Sequence, residues 1–158
     1  MIIEDVLDKA IENPNNKKLE KFFLLAKSIA QESPFEIYKI GAVIKIKDKI
    51  VSTGYNSYKS HPVQKMYNEY RKTHEGEWLN HFKHAEFAAL NKVKHLDLKK
   101  AEIFIYRVGQ DGKPRMARPC QGCIQAILNH GISTIHYTTP EGLATETLIN
   151  QKNKKYIL

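Results

Sequence analysis

Residues 40–46, IGAVIKI, and residues 50–55, IVSTGY, are two runs rich in β-branched side chains. The short polar segment KDK at residues 47–49 separates them. Two β-prone runs around a short polar turn are typical of an antiparallel hairpin. The sequence therefore predicts a sheet that begins with this hairpin.

On both sides of the hairpin the sequence predicts helices, with further strands after it. Residues 17–32 carry apolar side chains at helical spacing, with Asn15 or Asn16 as the N-cap and Pro34 as the stop. A further short helix is expected over residues 1–11, before them in the chain. The elements expected after the hairpin are a helix at 84–93, a strand at 101–108, a helix at 120–129, a strand at 132–138 and a helix at 141–150. This order predicts an α/β sandwich with a mixed sheet.

The composition is that of one ordinary globular domain. The chain has 158 residues, of which 42% are hydrophobic, and this is enough for a single core. We expect one domain over residues 1–158, with an N-terminal helical segment (1–33), a motif-bearing core (39–139) and a C-terminal helix (141–158). No apolar run approaches the roughly 20 residues of a membrane span, and the acidic N-terminus is unlike a signal peptide.

The charge and the cysteines restrict the partners and the compartment. The formal net charge is +8, which favours anionic partners such as free nucleotides or nucleic acid, although a solvated lysine-rich surface would show the same excess. Both cysteines lie within one short motif, so no disulfide framework is expected. A cytoplasmic location follows as an expectation.

The residues that predict chemistry are His84 and Glu86 in the triplet HAE, and Cys120 and Cys123 in PCQGC at residues 119–123. One imidazole and two thiolates can hold a zinc ion and leave one position open for water. Cysteines three residues apart on a first helical turn share one face. Glu86 is expected across the pocket, where a carboxylate that is not a ligand can move protons. The pattern predicts hydrolytic removal of an amino group from a nucleobase.

Two other interpretations of the motif remain open. The two cysteines could form a redox pair, although redox chemistry has no need of a helix-opening HAE. A structural zinc site would need two histidines besides the cysteines, and no suitably spaced pair follows them. The spare histidines are His61, His74, His81, His95, His130 and His136. His81 is the nearest rival to His84, but only His84 places Glu86 where proton transfer needs it.

The chain resembles the cytidine/deoxycytidylate deaminase superfamily over about residues 40–139. The matching parts are GAVI (41–44), GYN (54–56), HAE (84–86), PCQGC (119–123) and the strand that ends at Tyr137. The resemblance implies a three-layer α/β/α sandwich with a mixed, about five-stranded sheet. It also implies that His84, Cys120 and Cys123 bind Zn²⁺ and that Glu86 is the catalytic proton shuttle. Because these enzymes commonly form dimers or hexamers, a homo-oligomer is expected.

Within the superfamily, GYN followed by a long insertion is most similar to the deoxycytidylate branch, which implies conversion of dCMP to dUMP with release of ammonia. That branch often has a second zinc site built partly from cysteine. No third cysteine exists here, so only a histidine-based second site at His61, His74 and His81 stays open. Arg118 before the PC pair departs from the glutamate typical of tRNA adenosine deaminases.

The resemblance and the charge together suggest four substrate-binding residues. Asn56 matches a family asparagine that contacts the sugar or base, although an Asx turn would also explain it. Ala85 matches a residue whose backbone contacts the base, and it is also a good helix residue. Arg115 and Arg118 precede the cysteines closely enough to contact a phosphate.

The insertion at residues 56–80 mixes tyrosines with lysines and arginines. It could hold the 5′-phosphate of a free nucleotide. With single-stranded DNA or RNA, including tRNA, its tyrosines could stack on the bases and its lysines could contact the phosphates. It could also be a solvated loop. The leading hypothesis is a deaminase of a small cytosine nucleotide. The alternatives are a deaminase of single-stranded nucleic acid and a catalytically silent nucleotide-binding protein.

Overall fold

The computed structural model describes residues 16–60, 62–63, 66 and 82–148. The helices with described bounds are α1 (Asn16–Ala30), α2 (Ala85–Lys92) and α3 (Gln121–Asn129). The strands are β1 (Lys39–Ile46), β2 (Lys49–Tyr55), β3 (Ser57–Ser60), β4 (Phe82–Lys83), β5 (Ala101–Val108), β6 (Pro114–Arg115), β7 (Thr134–Thr139) and β8 (Gly142–Thr147). The predicted α/β class is confirmed.

The main sheet is mixed, as predicted. β1 and β2 form the expected antiparallel hairpin, with Lys47 in the left-handed region at its turn (φ 57°). β1 also pairs antiparallel with β5, β5 pairs parallel with β7, and β7 pairs antiparallel with β8. The strand order is therefore β2-β1-β5-β7-β8, and the short β6 pairs with the end of β5. α3 is the crossover that lets β5 and β7 run in parallel.

α1 covers one face of this sheet. The rings of Phe22 and Phe23 pack on Phe104 of β5, with centroids 5.2 Å and 5.3 Å apart. The helix can approach β1 closely because residue 41 is a glycine. A Cβ atom on Gly41 would lie 2.1 Å from the carbonyl oxygen of Ala26, well inside contact distance.

α2 and α3 cover the opposite face, which makes the three layers of the sandwich. β5 shows the two-residue alternation of a strand buried on both faces: Phe104 belongs to the α1 side, and Ile103 and Ile105 to the α2–α3 side. The core on the second side also includes Ala42, Ile44, Leu90, Ile127 and Ile135. The fold therefore has a helical layer on each side of one central sheet.

The predicted helix beginning at residue 141 is wrong over the described residues, because Gly142–Thr147 is a strand. Thr145 and Thr147 have branched Cβ atoms, and the edge of β7 offers a complete ladder of partners. The alternation fits this strand: Leu143 packs toward the α1 side, and Ala144 is fully buried on the α2–α3 side. Leu143 and Ala144 therefore lie on opposite sides of the sheet, as neighbouring residues of a strand do.

Several predictions lie outside the described residues. These are the helix at 1–11, the end of the chain from residue 149, and most of the insertion, including His61, His74 and His81. The histidine-based second metal site therefore stays a prediction, as does the choice of His84 rather than His81 as a metal ligand. None of the helices in the described part of the chain is long and apolar enough to cross a membrane.

Candidate metal centre and active site

His84 lies immediately before α2, on the side of the sheet opposite α1. It is the N-cap residue, with extended backbone (φ −77°, ψ 156°), and its carbonyl accepts the N–H of Ala88 at 2.9 Å. The helix lies close against β2 because Gly54 has no side chain: a Cβ there would be 2.5 Å from the nitrogen of Ala89. This close contact sets the distance between α2 and the sheet, and with it the position of His84 at the start of the helix.

The cysteines lie at the start of α3. Cys120 is the N-cap residue, and its Sγ accepts the N–H of Cys123 at 3.5 Å. The segment before it is fastened to the sheet, since the N–H of Ala117 donates to the carbonyl of Thr138 at 2.9 Å. Both sulfurs therefore lie at the positive end of the α3 dipole, which favours thiolates.

The two helix N-termini bring three potential metal ligands together. Nδ1 of His84 lies 3.2 Å from Sγ of Cys123 and 3.7 Å from Sγ of Cys120. One donor atom from each of these residues lies within 4.8 Å of the others. The predicted grouping of one imidazole and two thiols is therefore present in the folded chain.

The protonation of the two thiols suits a cation. A hydrogen bond from Cys123 is the largest cause that lowers the pKa of Cys120, to about 4, and His84 lowers it further. The pKa of Cys123 is raised, because it keeps the proton it shares with Cys120 and because it is buried. A cation between the sulfurs would replace this shared proton. One nitrogen and two sulfur donors are the ligand types that zinc prefers, so the residues fit this ion.

Glu86 lies beside this group. Its side chain is buried, at 5% exposure, and its carboxyl is within hydrogen-bonding reach of the Cys123 thiol. Burial is the main cause that raises the pKa of Glu86, the charge of His84 lowers it, and the charge of Cys120 raises it. Burial therefore favours the protonated form of this carboxyl, as a group that takes up and releases a proton requires.

A cavity of about 370 Å³ opens beside His84, Glu86 and Cys120. Its other lining residues include Phe35, Tyr38, Ile40, Asn56, Lys83, Arg107 and Arg118. Among the described lining residues, three side chains are cationic and one carboxyl is present, that of Glu86. The cavity therefore combines a candidate metal site, a candidate proton carrier and a surplus of positive charge.

Asn56 lies in this cavity, but most of its polar atoms are already engaged. Its Oδ1 accepts the N–H of Ile40 at 3.0 Å, and its Nδ2 donates to the carbonyl of Tyr38. Its carbonyl accepts the hydroxyl of Ser33 at 2.9 Å. Asn56 thus fixes the segment that enters β1, and one of its two amide hydrogens is not used in these contacts.

The other three predicted substrate residues differ in position. The side chain of Ala85 is fully buried in the core, so only its backbone could face a ligand. Arg118 lines the cavity, and its guanidinium donates hydrogen bonds from Nε and Nη2 to the carboxylate of Glu146, at 2.9 Å and 2.8 Å. Arg115 lines an adjoining cavity instead and pairs with Asp111 at 3.0 Å.

Arg107 and Tyr38 line both cavities, and neither was among the predicted substrate-binding residues. Arg107 follows Ile103 and Ile105 at two-residue spacing in β5, so its side chain belongs to the α2–α3 side of the sheet. The signal available in the sequence was a charged residue, Arg107, at a position where the alternation of β5 predicts a side chain on the buried face. Tyr38 lies before the hairpin and carried no comparable signal.

Comparison with known proteins identifies the family. Residues 16–139, more than three quarters of the chain, match the family described as the cytidine and deoxycytidylate deaminase zinc-binding region. No curated protein sequence matches the chain.

Solved structures share the fold. Apo dCMP deaminase from the cyanophage S-TIM5 matches with TM-score 0.51 and 20% identity, over 80% of this chain and 85% of that chain. Its complex with dCMP and dUMP matches with TM-score 0.52 and 18% identity, over 80% and 83%. Cytidine deaminase from Burkholderia pseudomallei matches with TM-score 0.54 and 15% identity, over 81% and 91%. These likenesses establish the fold.

The family match spans both halves of the metal site, from His84 to Cys123. The chain therefore belongs to the cytidine and deoxycytidylate deaminases, a family of zinc-dependent hydrolases that remove the amino group from cytosine compounds.

Proposed function

We propose that this protein deaminates a free cytosine nucleotide, converting dCMP to dUMP with release of ammonia. The observation that carries the proposal is the cavity in which Glu86 lies beside His84 and Cys120 while arginines line the same walls. The carboxyl and metal ligands suit hydrolysis of an amine, and the arginines suit an anionic substrate. The cyanophage protein of similar fold is a dCMP deaminase solved with dCMP and dUMP, which makes dCMP the first nucleotide to test.

His84, Cys120 and Cys123 are the proposed zinc ligands. When bound, zinc supplies a Lewis acid that activates water at neutral pH. The N-termini of α2 and α3 orient the three donor atoms, so the folded chain presents the ligands without rearrangement of its backbone. Three protein ligands leave one coordination position for the reaction, as in other catalytic zinc sites.

Glu86 is the proposed proton carrier. In the reaction, a water oxygen bonds to the ring carbon that holds the amino group, and the bond from that carbon to nitrogen then breaks. Glu86 takes one proton from the water and delivers it to the ring nitrogen. It then takes the second proton from the new hydroxyl group and delivers it to the amino group, which departs as ammonia while the oxygen stays on the ring carbon as a carbonyl. Because burial raises the pKa of Glu86, its carboxyl can hold the proton between these steps.

Asn56 and Ala85 are proposed to orient the nucleoside. The amide hydrogen of Asn56 that is not used on Tyr38 can donate to an oxygen of the sugar or base. Ala85 is the first residue of α2, so its N–H has no partner within the helix and can donate to the base. Both groups are held by backbone contacts and would need little reorganisation on binding.

The test is ammonia release by the zinc-loaded protein with dCMP, CMP, deoxycytidine, dCTP and a cytosine-containing single-stranded oligonucleotide. We expect dCMP to have the highest kcat/KM, with dUMP as the product identified by chromatography. Folded, zinc-loaded protein that releases no ammonia from any cytosine nucleotide would contradict the proposal. Turnover of the oligonucleotide alone, with salt-dependent binding, would instead identify a nucleic-acid deaminase.

A further inference from the structure

The three arginines near the cavity differ in what neutralises them. Glu146 holds the guanidinium of Arg118 in a two-bond pair, and Asp111 holds that of Arg115. Within the described ranges, no carboxylate pairs with Arg107. Two of the three guanidinium groups therefore have a carboxylate partner among the described residues, and Arg107 has none there.

The surroundings of Arg107 hold its side chain in one place. Its backbone N–H donates to Oγ1 of Thr138 at 3.2 Å, and its strand neighbour in β1 is Ile40. Its guanidinium lies 4.7 Å from the ring centroid of Tyr38, and the carbonyl of Met116 lies 3.5 Å from Nη1. A planar guanidinium against an aromatic ring is restricted in orientation before any ligand binds.

One nitrogen of this group lacks an acceptor. Nε of Arg107 is buried, and it has no hydrogen-bond partner among the described residues. A buried N–H without an acceptor is unfavourable, and most such groups in proteins are satisfied. Arg107 also lines the first cavity, so an anionic ligand there can accept from the guanidinium and offset its charge.

The two cavities meet at Arg107 and Tyr38. Glu86, His84 and Cys120 line the first cavity, and Gly109 and Arg115 line the second, which is also about 370 Å³. Because Glu86 and Arg107 line the same first cavity, a ligand whose reacting group lies beside Glu86 can place a second group beside Arg107. A nucleotide has this form, since its base and its phosphate are separated by the sugar.

We propose that Arg107 binds the phosphate of the nucleotide and is the residue that makes the protein prefer a nucleotide to a nucleoside. This inference rests on the proposed deamination of a free nucleotide. Tyr38 orients the guanidinium, and Asn56 fixes Tyr38 through the hydrogen bond to its carbonyl. Arg118 and Arg115 keep their carboxylate partners and contribute less to binding.

The test compares Arg107→Ala, Arg107→Lys and the control Lys113→Ala, all loaded with zinc. Lys113 is an exposed cation on the turn between β5 and β6, and it lines neither cavity. KM and kcat are measured with dCMP and with deoxycytidine, and dCMP binding is measured separately by calorimetry. Zinc content and melting temperature show whether each variant is folded.

We expect Arg107→Ala to raise the KM for dCMP by about 10–100-fold, the loss typical of a charge-assisted contact, and to change kcat/KM for deoxycytidine by less than about threefold. Arg107→Lys should recover part of the loss, because it restores the charge but not the fork. Lys113→Ala should behave as the wild type. Equal losses on both substrates, or no loss on dCMP, would overturn the assignment.

The two proposals fail differently. If the wild type turns over dCMP and Arg107→Ala does so equally well, deamination stands and the role of Arg107 is wrong. If no substrate is turned over, deamination of a nucleotide is wrong, and calorimetry still decides the role of Arg107. In that case, dCMP binding that is lost in Arg107→Ala supports the phosphate contact, and unchanged binding or no binding overturns it.

Discussion

Nδ1 of His84 lies 3.2 Å from Sγ of Cys123, although the two residues are 39 positions apart in the chain. The contact exists because the N-termini of α2 and α3 lie close together on one face of the sheet. Each residue is placed by the backbone of its own helix terminus, so the site forms only when both helices are packed. Metal binding and folding should therefore be coupled.

The first prediction concerns this coupling. His84→Ala should weaken zinc binding by more than about 100-fold, because it removes one of the three proposed ligands. The purified variant should then contain well under one zinc ion per chain by atomic emission, and a chelator should lower the melting temperature of the wild type more than that of the variant. His95→Ala, which removes an exposed histidine, is the control and should retain its zinc. Full zinc content in His84→Ala would show that another residue is the ligand.

The second prediction separates proton transfer from metal binding. Glu86→Gln keeps the shape of the side chain but cannot carry a proton, so kcat should fall by about 10²–10⁴-fold. Zinc content should stay at the wild-type level, since Glu86 is not one of the grouped donors. The exposed Glu141, changed to Gln, is the matched control. Wild-type turnover by Glu86→Gln would mean that another group moves the protons.

The metal group could be predicted from the sequence because residue types and spacing along two segments were sufficient. His84 and Cys123 are distant in the chain, but each lies at a helix start, and helix starts are readable from local pattern. The fold class was predictable for the same reason, since the periodicity of α1, β1 and β5 is local.

The features that sequence reasoning missed depend on distant partners. Residues 142–147 form a strand because they pair with β7, and their own sequence pattern does not indicate that this partner is available. Arg115 and Arg118 were chosen as phosphate contacts because they precede the cysteines. Their pairing with Asp111 and Glu146 appears only in the folded chain.

The third prediction concerns acid stability. Glu102 accepts from His136 at 2.8 Å and from Lys45 at 2.7 Å, and the bond from His136 is the main cause that lowers its pKa to about 2. A carboxyl with a lowered folded-state pKa stabilises the protein above its unfolded-state pKa, and this contribution is lost as the pH falls toward 2. Because the Glu102 side chain is 30% exposed, we expect about 1–2 kcal/mol rather than the full value of the shift.

The measurement is the free energy of unfolding of wild type and Glu102→Gln, by denaturant titration between pH 7 and pH 2. The wild type should be the more stable by about 1–2 kcal/mol at pH 6, and the difference should shrink between pH 4.5 and pH 2. Taking the difference removes the effect of acid on the metal site, which both proteins share. A difference that stays constant with pH would mean that the pair contributes by packing and not by charge.

The fourth prediction tests how closely α1 lies on the sheet. Gly41→Ala would place a Cβ 2.1 Å from the carbonyl oxygen of Ala26 and 2.5 Å from the nitrogen of Ala30. Both are backbone atoms of α1, so no side-chain rotation relieves the clash, and the helix must move away from Phe104. We expect a loss of about 3 kcal/mol in the free energy of unfolding, at the upper end for an overpacked core.

Gly112→Ala is the comparison for this fourth prediction. Gly112 has a positive φ of 79°, and no atom lies within 4 Å of an added Cβ. Gly112→Ala should therefore lower the free energy of unfolding by about 1 kcal/mol, through backbone conformation alone. Since α1 does not contribute to the cavity, zinc content should be unaffected in both variants. A smaller loss at Gly41 than at Gly112 would mean that α1 does not approach β1 as closely as the fold requires.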